Sequence, residues 1–117
     1  MPMLSTPRLG FAIVRGRSML PTLRGGDRLL VRYGAEARPG ALVLARFADG
    51  TLAVKRAAER RTTDRGEPVW WLVSDNPDEG VDSRHRGTVP ETDVIAIVRA
   101  RVWPPRVFRR PPAAIDD

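Results

Sequence analysis

Apolar residues in this chain come in short runs, each closed by Gly, Pro, Asp or a cluster of polar residues, and they never settle into the three-to-four spacing of a long helix. Residues 10–15 and 28–33 read as two short strands, separated by a loop rich in Gly, Pro and small polar side chains over 16–27. One helical turn is expected after Ser18. Residues 41–48 and 51–57 are apolar runs on either side of Asp49-Gly50, the pattern of a two-residue hairpin. That loop length predicts a register with Phe47 facing Leu52, Ala45 facing Val54 and Leu44 facing Lys55, so that Leu44, Leu42, Ala53 and Ala57 surround Lys55. Residues 60–68 are polar and read as loop. Residues 69–73 form a strand that sends Trp70 and Trp71 to opposite faces. A polar, turn-rich loop covers 74–87, and 93–103 reads as the last and longest strand.

About six short strands, tight turns and no helix beyond a turn or two predict an all-β fold, a small partly closed barrel or bent antiparallel sheets. An N-terminal arm (1–9) precedes the domain (10–104). A tail alternating Pro-Pro, Arg-Arg, Pro-Pro and Ala-Ala (105–117) is expected to pack loosely. At 117 residues, 42% hydrophobic and 29% charged, the chain suits one modest core. No apolar run approaches the ~20 residues of a membrane span, and no signal peptide is recognisable, so no membrane anchor and a cytoplasmic location are expected.

Cysteine is absent and His85 is the single histidine, which excludes disulfides, thiol nucleophiles and multi-histidine metal sites; no metal or cofactor is expected. The net charge of +6 would suit an acidic partner. The arginines, however, are spread along the chain with no run longer than two, and a nucleic-acid partner is not expected.

One basic residue breaks the pattern. Of the 20 Lys and Arg residues, Lys55 is the single lysine. Arginine keeps its proton near neutral pH, whereas a buried lysine can lose it and act as a base. Moving a lysine pKa from ~10.4 toward 7 costs about 4–5 kcal/mol, which the fold must absorb. Among the four serines, Ser18 lies in the glycine-containing loop, where a hydroxyl can be exposed beside a free backbone N–H. A serine needs an adjacent base to attack a carbonyl, and a neutral lysine can serve.

Gly16-Arg17-Ser18-Met19-Leu20-Pro21-Thr22, then Gly26-Asp27, Lys55-Arg56, Asp75-Asn76 and Asp82-Ser83-Arg84, resemble the ordered boxes of type I signal peptidases. The resemblance runs from about Val14 to Pro104. It implies a Ser–Lys endopeptidase on the all-β catalytic core shared with LexA-type repressors. In that reading Ser18 is the nucleophile, Lys55 the general base, and the Ser18 N–H part of the oxyanion hole. Asp75, Asp82 and Arg84 brace the polar loop, and Met19 and Pro21 border the substrate. Some members of that family draw a second oxyanion donor from a serine two residues before the nucleophile, where Gly16 stands here. The loop serine that orients the lysine in that family corresponds to Gly80, and Ser74 is expected to supply the missing hydroxyl. A short, Arg-rich, anchorless member resembles the nickel-type superoxide dismutase maturation proteases, which implies a precursor protein as partner and substrate. Three other readings stand beside it: a LexA-type self-cleaving regulator, which needs a cleavable segment upstream where this sequence has no Ala-Gly or Cys-Gly; a basic β module binding nucleic acid; and an inactive peptidase.

Overall fold

The computed structural model describes residues 8–108. Among these residues eight strands form one antiparallel sheet, curled into a half-barrel: β1 (Arg8–Ile13), β2 (Arg28–Tyr33), β3 (Leu42–Arg46), β4 (Leu52–Thr62), β5 (Pro68–Val73), β6 (Val89–Pro90), β7 (Val94–Trp103) and β8 (Arg106–Val107). Among the described residues the single α-helix, α1, is the four residues Ser83–Arg86. The sheet order is β1-β2-β7-β3-β4-β5-β6, with β8 paired to β7. The all-β expectation matches this architecture.

The continuous apolar runs of β3 and β7 follow from burial on both faces. Alternate residues feed two cores. Val43 and Ile97 join Trp70, Leu72, Ala57 and Phe47 on one side. Leu42, Ala96 and Val98 join Val14, Met19, Leu23, Leu29 and Val31 on the other. Trp70 is fully buried in the first core and Trp71 is only partly covered, as expected for neighbours on opposite faces. Met19 and Leu23 are both buried; each contributes about 2 kcal/mol and together they pin the loop that carries Ser18.

The hairpin differs from its expected register by one residue. Leu44 pairs with Val54 and Val43 with Lys55. A type I′ turn needs positive φ at both central residues, and only Gly50 (φ 88°) adopts it. With Asp49 at negative φ the loop takes a third residue, Ala48: the Gly50 N–H donates to Phe47 O (2.8 Å) and the Phe47 N–H to Thr51 O (2.9 Å). Lys55 therefore shares a face with Val43 instead of Leu44 and Leu42. With Val43, Ala45, Ala53 and Ala57 around it, that face of the sheet stays apolar.

Polar residues 60–62, expected as loop, extend β4 against β5, with Arg60 opposite Trp70 and Thr62 opposite Pro68. This ribbon is exposed, so no burial pattern marks it. The Arg61 guanidinium covers the Trp71 ring at 4.4 Å. β7 is neither last nor longest: β4 has 11 residues against 10 for β7, and β8 follows it. The start of the expected loose tail is thus a paired strand, and Phe108 packs on the second core. Of the expected arm, Arg8 and Leu9 belong to β1. The rest of the arm, 1–7, and the tail from 109 lie outside the described residues. Among the described residues, no helix is long and apolar enough to cross a membrane.

Candidate active site

The loop after β1 is closed at its base by two backbone bonds, Val14 N–H to Asp27 O (2.9 Å) and Gly26 N–H to Val14 O (2.8 Å). Buried Asp27 accepts from the Arg24 N–H (2.8 Å) and faces Arg101. Within the loop the Leu23 N–H donates to Met19 O, the single helical turn expected after Ser18. Ser18 is thereby presented at the start of a rigid turn.

Lys55 reaches it from β4. Its Nζ lies 3.0 Å from Ser18 Oγ and 3.0 Å from Ser74 Oγ. Only 3% of Lys55 is exposed, so water cannot easily solvate an ammonium there. Burial pushes the Lys55 pKa below the ordinary lysine value; the Asp82 carboxylate opposes this and the Arg84 guanidinium adds to it. The net lowering is what a lysine base requires.

Ser74 is held in turn. Its N–H donates to Asp82 Oδ2 at 2.7 Å. Asp82 is fully buried, caps α1 through the Arg84 N–H (2.9 Å) and forms an ion pair with the Arg84 side chain (2.9 Å). Burial alone would raise the Asp82 pKa, but the hydrogen bonds from Arg84 and Ser74 outweigh it and hold the carboxyl at about 2. A carboxyl lowered from near 3.9 adds stability above pH 4 that disappears as pH falls toward 2. Asp82→Asn is therefore expected to cost on the order of 2 kcal/mol at pH 7. The gap to wild type should shrink by pH 3 in urea unfolding curves, and an equal gap at both pH values would refute this account.

Asp75 joins three pieces of chain. It accepts from Thr22 Oγ1 (2.6 Å) and from Arg56 Nε and Nη2 (3.1 and 2.6 Å). Burial works against ionisation, yet Arg56 and Thr22 keep its pKa below the usual value. The Asp75 N–H points at Met19 Sδ (3.4 Å). On the outer side, Arg86 pairs with Asp49 and so ties α1 to the β3–β4 hairpin tip.

Gly80 lies against the pair. A Cβ built on it would sit 2.4 Å from Ser18 Cβ, 3.1 Å from Ser74 Oγ and 3.3 Å from Lys55 Nζ, and its φ is +88°. The position admits no side chain, and the Ser74 hydroxyl stands at the lysine. Gly16, at φ +75°, has open space around its missing Cβ and offers no side-chain donor.

A groove of about 360 Å³ opens beside Ser18, lined by Phe11–Arg15 of the first strand and its exit, by Met19, and by Leu52–Val54 across from them. Met19 forms part of its lining; Pro21 is exposed and does not. Among the described residues both walls carry unpaired backbone: β1 bonds only to β2, and pairing of β4 with β5 begins at Arg56. A larger hollow of about 510 Å³, around Tyr33, Glu36 and Glu91, shares Tyr33 with the groove but is not lined by Ser18, Lys55 or Ser74. The groove walls and Arg15, the one charged residue lining the groove, went unrecognised in the sequence because they are contributed by strands far apart in the chain. Asn76 was visible within a motif, but only the fold reveals what it touches: Arg17 O, 59 positions away.

Residues 2–99 match the family described as Peptidase S24-like. No curated protein matches the chain. A match over most of the chain, the curled antiparallel sheet and a lysine seated against a loop serine agree with one another, and the chain belongs to the Peptidase S24-like family.

Proposed function

We propose that this protein is a Ser–Lys endopeptidase acting on an extended segment of a precursor protein. The observation that carries this reading is Lys55 Nζ, buried and 3.0 Å from both Ser18 Oγ and Ser74 Oγ, with Ser18 lining an open groove. In the neutral amine, one N–H donates to Ser74 and the lone pair faces the Ser18 hydroxyl. Lys55 takes that proton as Oγ attacks the scissile carbonyl. The oxyanion forms beside the Ser18 N–H. The lysine ammonium then protonates the departing amine, leaving an acyl-enzyme. Water attacks this ester as Lys55 takes its proton; the acyl–Oγ bond then breaks, Lys55 returns the proton to Ser18 Oγ, and the carboxylic acid product leaves.

The groove accounts for the shape of the substrate. An extended peptide placed between the free edges of β1 and β4 would gain backbone hydrogen bonds on both sides. The mostly apolar lining of the groove suits small or aliphatic side chains just before the cut. The resemblance to nickel-type superoxide dismutase maturation proteases supplies the substrate to try first, a precursor with an N-terminal extension. Membership of the Peptidase S24-like family favours a second reading, cleavage within the same chain. The two are separated by concentration dependence.

The test is incubation of the purified chain with such a precursor and with a proteome-derived peptide mixture, read by mass at new termini. Cleavage that depends on Ser18 and Lys55 supports the reading. Cutting of the precursor at one site supports the maturation role, and cutting only of peptides removes that role but keeps the peptidase. A wild-type chain that cuts nothing, itself included, overturns both. Ser74→Ala is expected to lower kcat about tenfold or more through loss of lysine orientation. It should also move the rising limb of the pH–rate profile to lower pH, because the lost acceptor favoured the ammonium. An unchanged limb would count against that role.

A further inference from the structure

We infer that Asn76 is a positioning residue that aims the Ser18 N–H at the developing oxyanion; the inference rests on the Ser–Lys reading above. Asn76 grips both peptide groups that flank the nucleophile. Its Nδ2 donates to Arg17 O at 3.0 Å, and its backbone N–H donates to Ser18 O at 2.9 Å. The first contact matters most. Arg17 C=O and Ser18 N–H belong to one planar trans peptide and point in opposite directions. Fixing the carbonyl end therefore fixes the direction of the N–H. Arg17 O also accepts from the Leu20 N–H at 3.2 Å, so two donors hold that oxygen from the turn and from the polar loop.

The Ser18 N–H itself has no hydrogen-bond partner among the described residues. An amide left free within a rigid turn is the donor an oxyanion needs, and its aim has to come from the opposite end of its own peptide. Donation to the carbonyl also polarises the peptide and makes its N–H a stronger donor. Gly16 has no hydroxyl to contribute, which places more weight on the backbone donor.

The side-chain oxygen of Asn76 acts elsewhere. Its Oδ1 accepts from the Asp78 N–H at 3.1 Å and shapes the loop. This separation gives two variants. Asn76→Asp keeps an acceptor for Asp78 and the backbone bond to Ser18 O but replaces the donor to Arg17 O with a charged acceptor, so the neutral Asn76→Ser is run beside it and the loss has to appear in both. Removing an oxyanion donor outright costs about 10²–10³-fold in kcat. Misdirecting one is expected to cost about 10- to 100-fold.

The experiment uses the full chain and the best-cut member of the peptide mixture, together with two ligands made from it: the aldehyde, which adds to Ser18 as a hemiacetal, and the product carboxylate, which binds without adding. For Asn76→Asp, kcat should fall by that factor while KM stays within about twofold. Aldehyde affinity should fall in parallel with kcat, and product affinity should not. Asn76→Gln, which carries the donor on a longer arm, should recover part of the loss. Equal losses for aldehyde and product, a rise in KM at constant kcat, or wild-type kinetics overturn the role of Asn76 while the peptidase stands. If wild type cuts no peptide, the Ser–Lys reading has failed and this inference falls with it. Melting temperatures separate a local effect from unfolding. Should Asn76→Asp fail to fold, Asn76→Ser alone, which is too short to reach Arg17 O, is held to the same comparison of aldehyde with product.

Discussion

Lys55→Arg should abolish cleavage, lowering the rate by about 10³-fold or more, and Ser18→Ala should leave only background. The substitution keeps the positive charge but removes the ability to release a proton. It probes the chemistry of the amine and not its charge. The wild-type rate should rise with pH as the lysine deprotonates, beginning below the ordinary lysine range because burial depresses its pKa. The comparison is made on one peptide across pH, with melting temperature as the control for folding. Cleavage by folded Lys55→Arg at more than a tenth of the wild-type rate would remove Lys55 as the base.

Gly80→Ser gives the second large effect, and its sign runs against the motif. By resemblance, a serine here restores a hydroxyl that signal peptidases use. In this structure a Cβ at position 80 lands 2.4 Å from Ser18 Cβ, which is not the mobile end of a long side chain. The backbone of the loop or of the Ser18 turn has to move, and a shift of about 1 Å at such a site can cost 10²-fold in rate. The positive φ adds roughly 1 kcal/mol of conformational cost. Activity should therefore fall at least 10²-fold, and Ser74→Ala combined with Gly80→Ser should recover nothing. An active double variant would show that the loop can yield and that the two hydroxyls are interchangeable.

Much of the fold could be read directly from the sequence because its signals were local. Short apolar runs bounded by turn residues marked most strands, and adjacent Trp70 and Trp71 took opposite faces as period-two geometry demands. Lys55 stood out by composition, and Ser18 by its loop and by family resemblance. What was missed depended on context. Whether Asp49 adopts positive φ decides between a two- and a three-residue hairpin loop, and that choice moved Lys55 from Leu44 to Val43. Residues 60–62 gain their strand from pairing with β5 in an exposed ribbon, where polarity carries no information. The Asn76 contacts span 58 and 59 positions, and no spacing rule reaches across such a distance.

The sheet order sets a schedule for synthesis. β2 and β3 are near neighbours in sequence but are separated in the sheet by β7, which pairs with both. β1 and β2 flank the Ser18 loop, and the β3–β4 hairpin carries Lys55, so the two halves of the site are joined through a strand that follows both in the chain. A chain that has emerged only as far as β6 holds a β1–β2 hairpin and a β3–β6 meander, whose facing edges β2 and β3 lack their common partner. Val94–Trp103 closes the sheet by pairing with both edges, and so fixes the Ser18 loop relative to the hairpin that carries Lys55. A chain broken off before that strand keeps both residues but lacks the pairing that fixes one against the other.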